Sequence, residues 1–375
     1  MRIKSITIEG LFGQFTHQIP LNLDQHITII YGANGIGKTV IFKLIDYLFQ
    51  QKKKAVYARS YGNLDGLLAR STENPHVVFD KIIVTYEDEN TFSVIQEGKG
   101  WMFTAPQNQV FLHKQEAYQP LVCFIPHQRL EIGQEQVIEK IQRDFNDVIG
   151  KIERQYYALS QQLSTTLTQR VLAKEIKSSL PQNELQQLAQ EVTNYHLKLD
   201  ELGILPLSNK NAYLIPPDTP ESDQNILAVN LQDMKTKLLV YDDLYKKLSL
   251  FLHLVNEKLI FKELLLIEAY NLTIHDKKYP NAEIPLNKLS SGEQNMINLF
   301  YFLLFKCPTD ALVLIDEPEI SQHIAWQDEF ITQLKQIIAL NPFDAIVATH
   351  SPDIVNGNWD LTVSLKPQTE EHATT

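Results

Sequence analysis

The chain has 375 residues, 44% of them hydrophobic and 21% charged, with a formal net charge of −11. That length allows two structural domains, or one core carrying a large insertion, and the composition is that of an ordinary globular protein. The acidic balance argues against wholesale coating of nucleic acid, and no stretch approaches the roughly 18 consecutive apolar residues of a membrane span. Met1-Arg2-Ile3-Lys4-Ser5-Ile6 alternates as a strand rather than a signal peptide. Cys123 and Cys307, far apart and without His or Cys neighbours, predict buried free thiols, no zinc site and a reducing cytoplasm.

Residues 1–31 read as strands, with alternation over Ile3 to Ile8 and an apolar run from Ile27 to Tyr31. Gly32-Ala33-Asn34-Gly35-Ile36-Gly37-Lys38-Thr39 follows, and then a helical pattern of Val40, Ile41, Leu44, Ile45 and Leu48. Strand, glycine-rich turn and helix in that order make a P-loop, which predicts a bound nucleoside triphosphate. Gly32, Asn34, Gly35 and Gly37 let successive N–H groups converge on phosphate, and the helix adds its positive end. Lys38 then reaches the β- and γ-phosphates, and the Thr39 hydroxyl holds Mg²⁺. Gln51-Lys52-Lys53-Lys54 is the most concentrated basic run, read first as a solvated helix end.

Val77 to Phe79, Ile82 to Tyr86 and Thr91 to Ile95 predict further strands of an antiparallel sheet beside the nucleotide core. From about residue 134 the period changes. Ile138, Ile141, Phe145, Val148, Ile152, Tyr156, Leu159 and Leu163 mark one face of a long helix. Leu185, Leu188, Val192, Tyr195, Leu199 and Leu202 mark a second. After a loop containing Pro206, Pro216, Pro217 and Pro220, a third stripe runs from Leu227 to Leu259 with four-three alternation, the mark of a heptad seam. The spacing leaves open whether that seam closes within the chain or against a second copy. Residues 134–267 are accordingly expected to form a helical insertion. Residues 1–133 and 268–366 are expected to be the two halves of the core, and residues 367–375 a frayed tail.

After the insertion, Asn271 to Ile274, Ile284 to Leu286, Ala311 to Ile315, Asp344 to Thr349 and Leu361 to Leu365 predict strands. Helices are expected from Glu293 and over Ile324 to Ala339. The strand from Ala311 ends in Asp316-Glu317. Downstream of a P-loop, the first acid is expected to hold Mg²⁺ and the second to polarise the attacking water.

Leu289-Ser290-Ser291-Gly292-Glu293-Gln294 resembles the signature of ABC-type ATPases, Leu-Ser-Gly-Gly-Gln or Leu-Ser-Gly-Gly-Glu, with Ser291 at the usual first glycine. The resemblance implies an α/β ABC-ATPase head that binds and hydrolyses ATP, with Ser290, Gly292 and Glu293 facing the nucleotide of another subunit. It implies at least a homodimer with composite sites. His350 in Ala348-Thr349-His350-Ser351-Pro352 resembles the family's switch histidine, which senses the γ-phosphate. Gln128 in Ile125-Pro126-His127-Gln128-Arg129 resembles the Q-loop glutamine that contacts Mg²⁺, and Arg59 resembles the arginine loop of SMC-type heads. The catalytic set so implied is Lys38, Glu317 and His350; the metal set is Thr39, Gln128 and Asp316.

Asp316-Glu317-Pro318-Glu319-Ile320-Ser321-Gln322-His323 departs from transporter subunits and resembles the branch of RecF-like proteins and OLD nucleases. OLD proteins continue into a Toprim nuclease, which is not expected here, so any nuclease should be another polypeptide. Gly10-Leu11-Phe12-Gly13, Ile125 to Leu130 and Trp359 to Val363 look most like stand-alone anti-phage defence ATPases, such as the AriA ATPases of PARIS systems. That resemblance implies a cytoplasmic sensor that controls a separate Toprim-type nuclease effector. The alternative is a RecF- or SMC-like ATPase of DNA repair, and the pattern does not distinguish a partner surface from a DNA clamp.

Overall fold

The computed structural model describes residues 2–33, 35–50, 79–97, 100–104, 121–126, 134–172, 180–207, 209, 213–216, 219–267, 270–285, 288–320 and 324–365. The chain divides into two compact units, Met1–Glu131 with Ser291–Thr375, and Ile132–Ser290.

The first unit is built on a parallel sheet of β3 (Ile27–Tyr31), β7 (Val122–Ile125), β11 (Leu312–Asp316), β12 (Asp344–Thr349) and β13 (Thr362–Ser364). The spatial order is β13-β3-β12-β11-β7. β11 and β12 are buried along their whole length, which is why their sequences run apolar instead of alternating. Helix α1 (Lys38–Gln50) follows β3 and buries Ile41, Phe42, Leu44 and Ile45. A second sheet is antiparallel, in the order β2-β1-β4-β5-β6. Its strands are β1 (Ile3–Leu11), β2 (Phe15–Pro20), β4 (Lys81–Tyr86), β5 (Thr91–Glu97) and β6 (Gly100–Thr104). Ile6, Ile8, Ile19, Ile82 and Val84 from this sheet share one apolar core with α1 and with Ile30, Leu314 and Ile346 of the parallel sheet. β2 and β6 were not separated from their neighbours by the sequence pattern. β2 follows a tight turn in which the Gly13 N–H donates to the Gly10 carbonyl at 2.8 Å.

In the second unit, α2 (Gln134–Leu172), α3 (Gln182–Glu201), α4 (Glu221–Leu238) and α5 (Asp242–Lys258) accompany a small antiparallel sheet. That sheet, β8 (Lys262–Ile267), β9 (Asn271–Asp276) and β10 (Glu283–Ile284), has the order β10-β9-β8. α2 has 39 residues, a length of about 58 Å. Two expectations are corrected here. The third stripe is not one seam, because a 3₁₀ turn at Leu239–Tyr241 separates α4 from α5. Its buried side chains include Ala228, Leu244, Phe251 and Leu254, which lie off the heptad, so the packed face follows globular helix packing. α4 packs on α2 and α3 within the chain. Residues 262–267, read as part of the helical insertion, are instead strand β8, held in register by Asn256, whose side chain bonds Leu264 through both its N–H and its carbonyl.

Helix α6 (Ser291–Tyr301) runs directly into a π-helical turn, Phe302–Lys306. The Cys307 N–H donates to the Phe302 carbonyl, five residues back, at 2.8 Å. Pro308 has no N–H to continue the ladder. The buried Asn341 side chain takes over, donating to the Leu303 carbonyl at 2.8 Å and the Cys307 carbonyl at 3.1 Å. The expected helix over 324–339 is two helices, α7 (Ile324–Gln327) and α8 (Phe330–Leu340), followed after β12 by a short α9 (Pro352–Val355). The two cysteines, distant in sequence, come close enough for each to shift the other, which lowers Cys123 and raises Cys307 from the ordinary thiol value; Cys307 is buried as expected, but Cys123 is only half-buried.

Candidate functional site

Because the sheet is parallel, the C-terminal ends of its strands collect on one edge, the usual location of ligands in such sheets. Asp316 pairs with Ala348 and Thr349 with Tyr31, so β11, β12 and β3 end at the same level. The turn after β3 has Gly35 at φ 88° and Gly37 at φ 95°, a region that side chains other than glycine rarely adopt. A Cβ at Gly37 would lie 2.7 Å from Leu11 and 3.1 Å from the ring of Phe12, whereas one at Gly35 would meet nothing within 4 Å among the described residues. The loop is thus braced on one side by the β1–β2 turn.

Lys38 is buried, and its Nζ donates to the carbonyls of Gly32 at 2.6 Å and Ala33 at 3.1 Å. Burial lowers its pKa from the ordinary lysine value, while the carboxylates of Glu317, Glu319 and Asp316 oppose that shift. The Thr39 hydroxyl donates to Asp316 Oδ2 at 2.9 Å, and Asp316 is fully buried. Two hard oxygen ligands from distant parts of the sequence therefore stand side by side, the donor set Mg²⁺ prefers alongside phosphate oxygens and water. The residues fit that ion.

Glu317 has φ 43°, an uncommon value for a non-glycine residue, and its N–H donates to the Ala348 carbonyl at 2.9 Å. Its side-chain Oε1 lies 3.6 Å from His350 Nδ1. The structure thus gathers Lys38, Thr39, Asp316, Glu317 and His350 at one edge. Gly292 is buried and Glu293 half-buried in the first turn of α6, and Ser290, which precedes that helix, is exposed. Asn34 and Gln128 lie outside the described residues, as do Lys52, Lys53, Lys54 and Arg59.

Two residues at this edge were not singled out from sequence. His17 is buried beneath the P-loop, with Nε2 3.2 Å from the Ile36 carbonyl and its ring stacked on Phe15. The available signal was a histidine on the inward face of an alternating strand. Glu319 was read only as part of the Glu-Pro-Glu-Ile motif. It is buried and bonds the end of β12.

Among solved structures, the fold is similar to an Smc head domain with an extended coiled coil from Pyrococcus furiosus, bound to the C-terminal domain of ScpA. That match has 13% identity, TM-score 0.40, and coverage of 98% of this chain and 94% of the other. It is also similar to the SMC head domain from Thermotoga maritima, at 13% identity and TM-score 0.41, covering 95% and 91%. No curated protein matches the chain. The sequence matches the AAA ATPase domain family over residues 1–236 and 127–355, overlapping segments that together take in both the P-loop and the acidic strand end. On that match, the chain belongs to the AAA ATPase domain family.

Proposed function

We propose that this chain is an ATP-hydrolysing switch subunit whose nucleotide sites are completed by a second copy of itself. The observation that carries the reading is the 2.9 Å contact of Thr39 with Asp316, in an edge that also holds Lys38 and Glu317. The backbone of residues 32–37 cradles the phosphates, and Lys38 binds the β- and γ-phosphates as a point charge. Thr39 and Asp316, with Gln128, hold Mg²⁺. When bound, that ion neutralises charge on the β- and γ-phosphate oxygens. Glu317 takes the proton of the attacking water, and His350 contacts the reacting end of the nucleotide. The Ser290 hydroxyl and the backbone N–H groups of Gly292 and Glu293 bind the γ-phosphate held by the partner copy, as a helix N-terminus suits an anion.

At the cellular level, the resemblance of Gly10 to Gly13, Ile125 to Leu130 and Trp359 to Val363 to stand-alone defence ATPases supports a cytoplasmic sensor in anti-phage defence. Its nucleotide state would pass through the helical unit to a separate Toprim-type nuclease. Mixing Lys38→Ala protein with Ser290→Arg protein tests the composite site. Each alone is inactive, and the mixture should recover part of the ATPase activity, because some interfaces then contain two intact halves. No recovery despite demonstrated subunit exchange refutes the shared site. DNA cleavage by the purified chain alone refutes the separate effector.

A further inference from the structure

Glu319 has no role in the chemistry above, yet several polar groups converge on it. Pro318 follows Glu317, and the Ile320 N–H donates to the Glu317 carbonyl at 3.2 Å. Residues 317–320 thus form a tight turn with proline at its second position, a favoured arrangement. The turn brings Glu319 back against the end of β12, where its side chain is only 6% exposed. Its Oε1 accepts from the Thr349 hydroxyl at 2.7 Å, from the backbone N–H of His350 at 3.1 Å, and faces His350 Nδ1 at 3.1 Å. Its Oε2 is buried and has no hydrogen-bond partner among the described residues. Thr349 is itself fixed, since its hydroxyl oxygen accepts from the Ser351 N–H at 3.0 Å, and the Ser351 hydroxyl donates to Gln327 at 2.8 Å.

A carboxylate only accepts hydrogen bonds, so the ring nitrogen facing it must carry a proton. Glu317 approaches the same nitrogen, at 3.6 Å, and favours the same choice. A neutral imidazole has one N–H, which leaves Nε2, on the opposite edge of the ring, as an acceptor. The His350 side chain is 45% exposed, so the ring is anchored at one edge and accessible at the other.

We propose that Glu319 is a positioning residue for ATP hydrolysis, fixing His350 as the Nδ1–H tautomer so that Nε2 accepts a hydrogen bond from the attacking water. In the step, the water oxygen forms a bond to the γ-phosphorus while the bond from that phosphorus to the bridging oxygen breaks. The electron pair leaves with ADP, and the water proton passes to Glu317. His350 orients the water and Glu319 orients His350.

This inference rests on the ATPase reading, so its test includes a measurement that needs no turnover. Long-range proton–nitrogen correlation of the histidine rings in the full chain, with His350→Gln identifying the signal, should show Nδ1–H in the wild type. Glu319→Ala should abolish that preference. Thr349→Val, which cuts a different bond to Glu319, should keep it. In steady-state kinetics, Glu319→Ala should lower kcat about 10–100-fold, the range typical of residues that orient a functional histidine, with KM for ATP little changed. Glu319→Gln, whose carbonyl still accepts from Nδ1–H, should fall between wild type and Glu319→Ala, and it serves if the alanine variant does not fold. In a His350→Gln background, Glu319→Ala should cost nothing more, because the two residues act as one unit. An Nε2–H ring in the wild type, a ring indifferent to Glu319→Ala, or additive losses in the double variant would overturn the proposal. Absence of wild-type hydrolysis would overturn the ATPase reading and the catalytic role of Glu319. The ring spectrum would still decide, separately, whether Glu319 sets the tautomer.

Discussion

Strand β12 meets charge at both of its ends, and the two ends differ. It begins at Asp344, whose carboxylate receives Arg2 Nε at 2.8 Å and a terminal guanidinium nitrogen at 2.6 Å, with His26 Nδ1 at 3.0 Å. The same guanidinium also donates to the Leu23 carbonyl. Those bonds to Asp344 raise the Arg2 pKa further, so the pair is mutually satisfied. It ends at Thr349, followed by His350, where Asp316, Glu317 and Glu319 act on Lys38 while its Nζ donates to the carbonyls of Gly32 and Ala33. At the first end the cation is bonded directly to its carboxylate, whereas at the second the lysine is bonded to backbone carbonyls. Burying charge is costly unless it is paired, so the directly bonded pair serves to hold the sheet together, while the lysine and carboxylates at the other end are placed to meet a cation and a substrate.

The largest test of this contrast is at the acidic end. Glu317→Gln should lower ATP hydrolysis by about 10²–10⁴-fold while leaving ATP binding and unfolding midpoint nearly unchanged. Near wild-type turnover would remove Glu317 from the role of base. At the other end, Asp344→Asn should do the reverse. It should cost about 2–3 kcal/mol of stability, discounted from the roughly 3–5 kcal/mol of a fully buried pair because the Arg2 side chain is 26% exposed. Turnover per folded molecule should stay the same. A loss of turnover in Asp344→Asn at full folding would show that the two ends are not separate in function.

A smaller effect is expected from His17, under the P-loop. Burial lowers its pKa from the ordinary 6.5, with the bond to Ile36 opposing the shift. A depressed histidine pKa means the unfolded chain binds the proton more readily. The stability from His17 is therefore complete above the unfolded pKa and is lost as pH falls through about 6.5 toward the folded value. His17→Gln should flatten that acid slope in urea unfolding measured between pH 7.5 and pH 5.5. An unchanged slope would assign it to other groups.

Much of this molecule was legible because its signals are local. The P-loop needs only glycines and Lys38-Thr39 after an apolar strand, and the acidic strand end needs only two carboxylates after one. Continuous apolar runs such as Leu312 to Ile315 identify buried parallel strands without any alignment. What was missed depends on through-space partners. The break at Leu239–Tyr241 leaves the apolar spacing almost intact, so a heptad count passes straight over it. Strand β8 follows helix α5 in a leucine-rich stretch where the helix and strand periods are indistinguishable, and its register depends on Asn256. The meeting of Cys123 and Cys307 requires knowing where β7 lies relative to the turn after α6. Glu319 was visible as a letter in a motif, but its work depends on a proline turn that bends it back to β12.

The π-turn at Phe302–Lys306 also bears on how this chain tolerates changes in length. A π-turn is one residue of slack in an otherwise regular helix. Deleting one residue there would let the remaining chain close as an α-helix, and the segment before it would turn by about 100° about the axis to stay in register. Buried Met296, Ile297, Leu299 and Phe300 would rotate off their present face. Asn341, already bonded to two carbonyls of this turn, would lose its acceptors. The slack therefore cannot be trimmed without re-aiming the start of α6, where Gly292 and Glu293 lie. A repeat of this helix in an engineered or recombined chain has to carry its extra residue and Asn341 together.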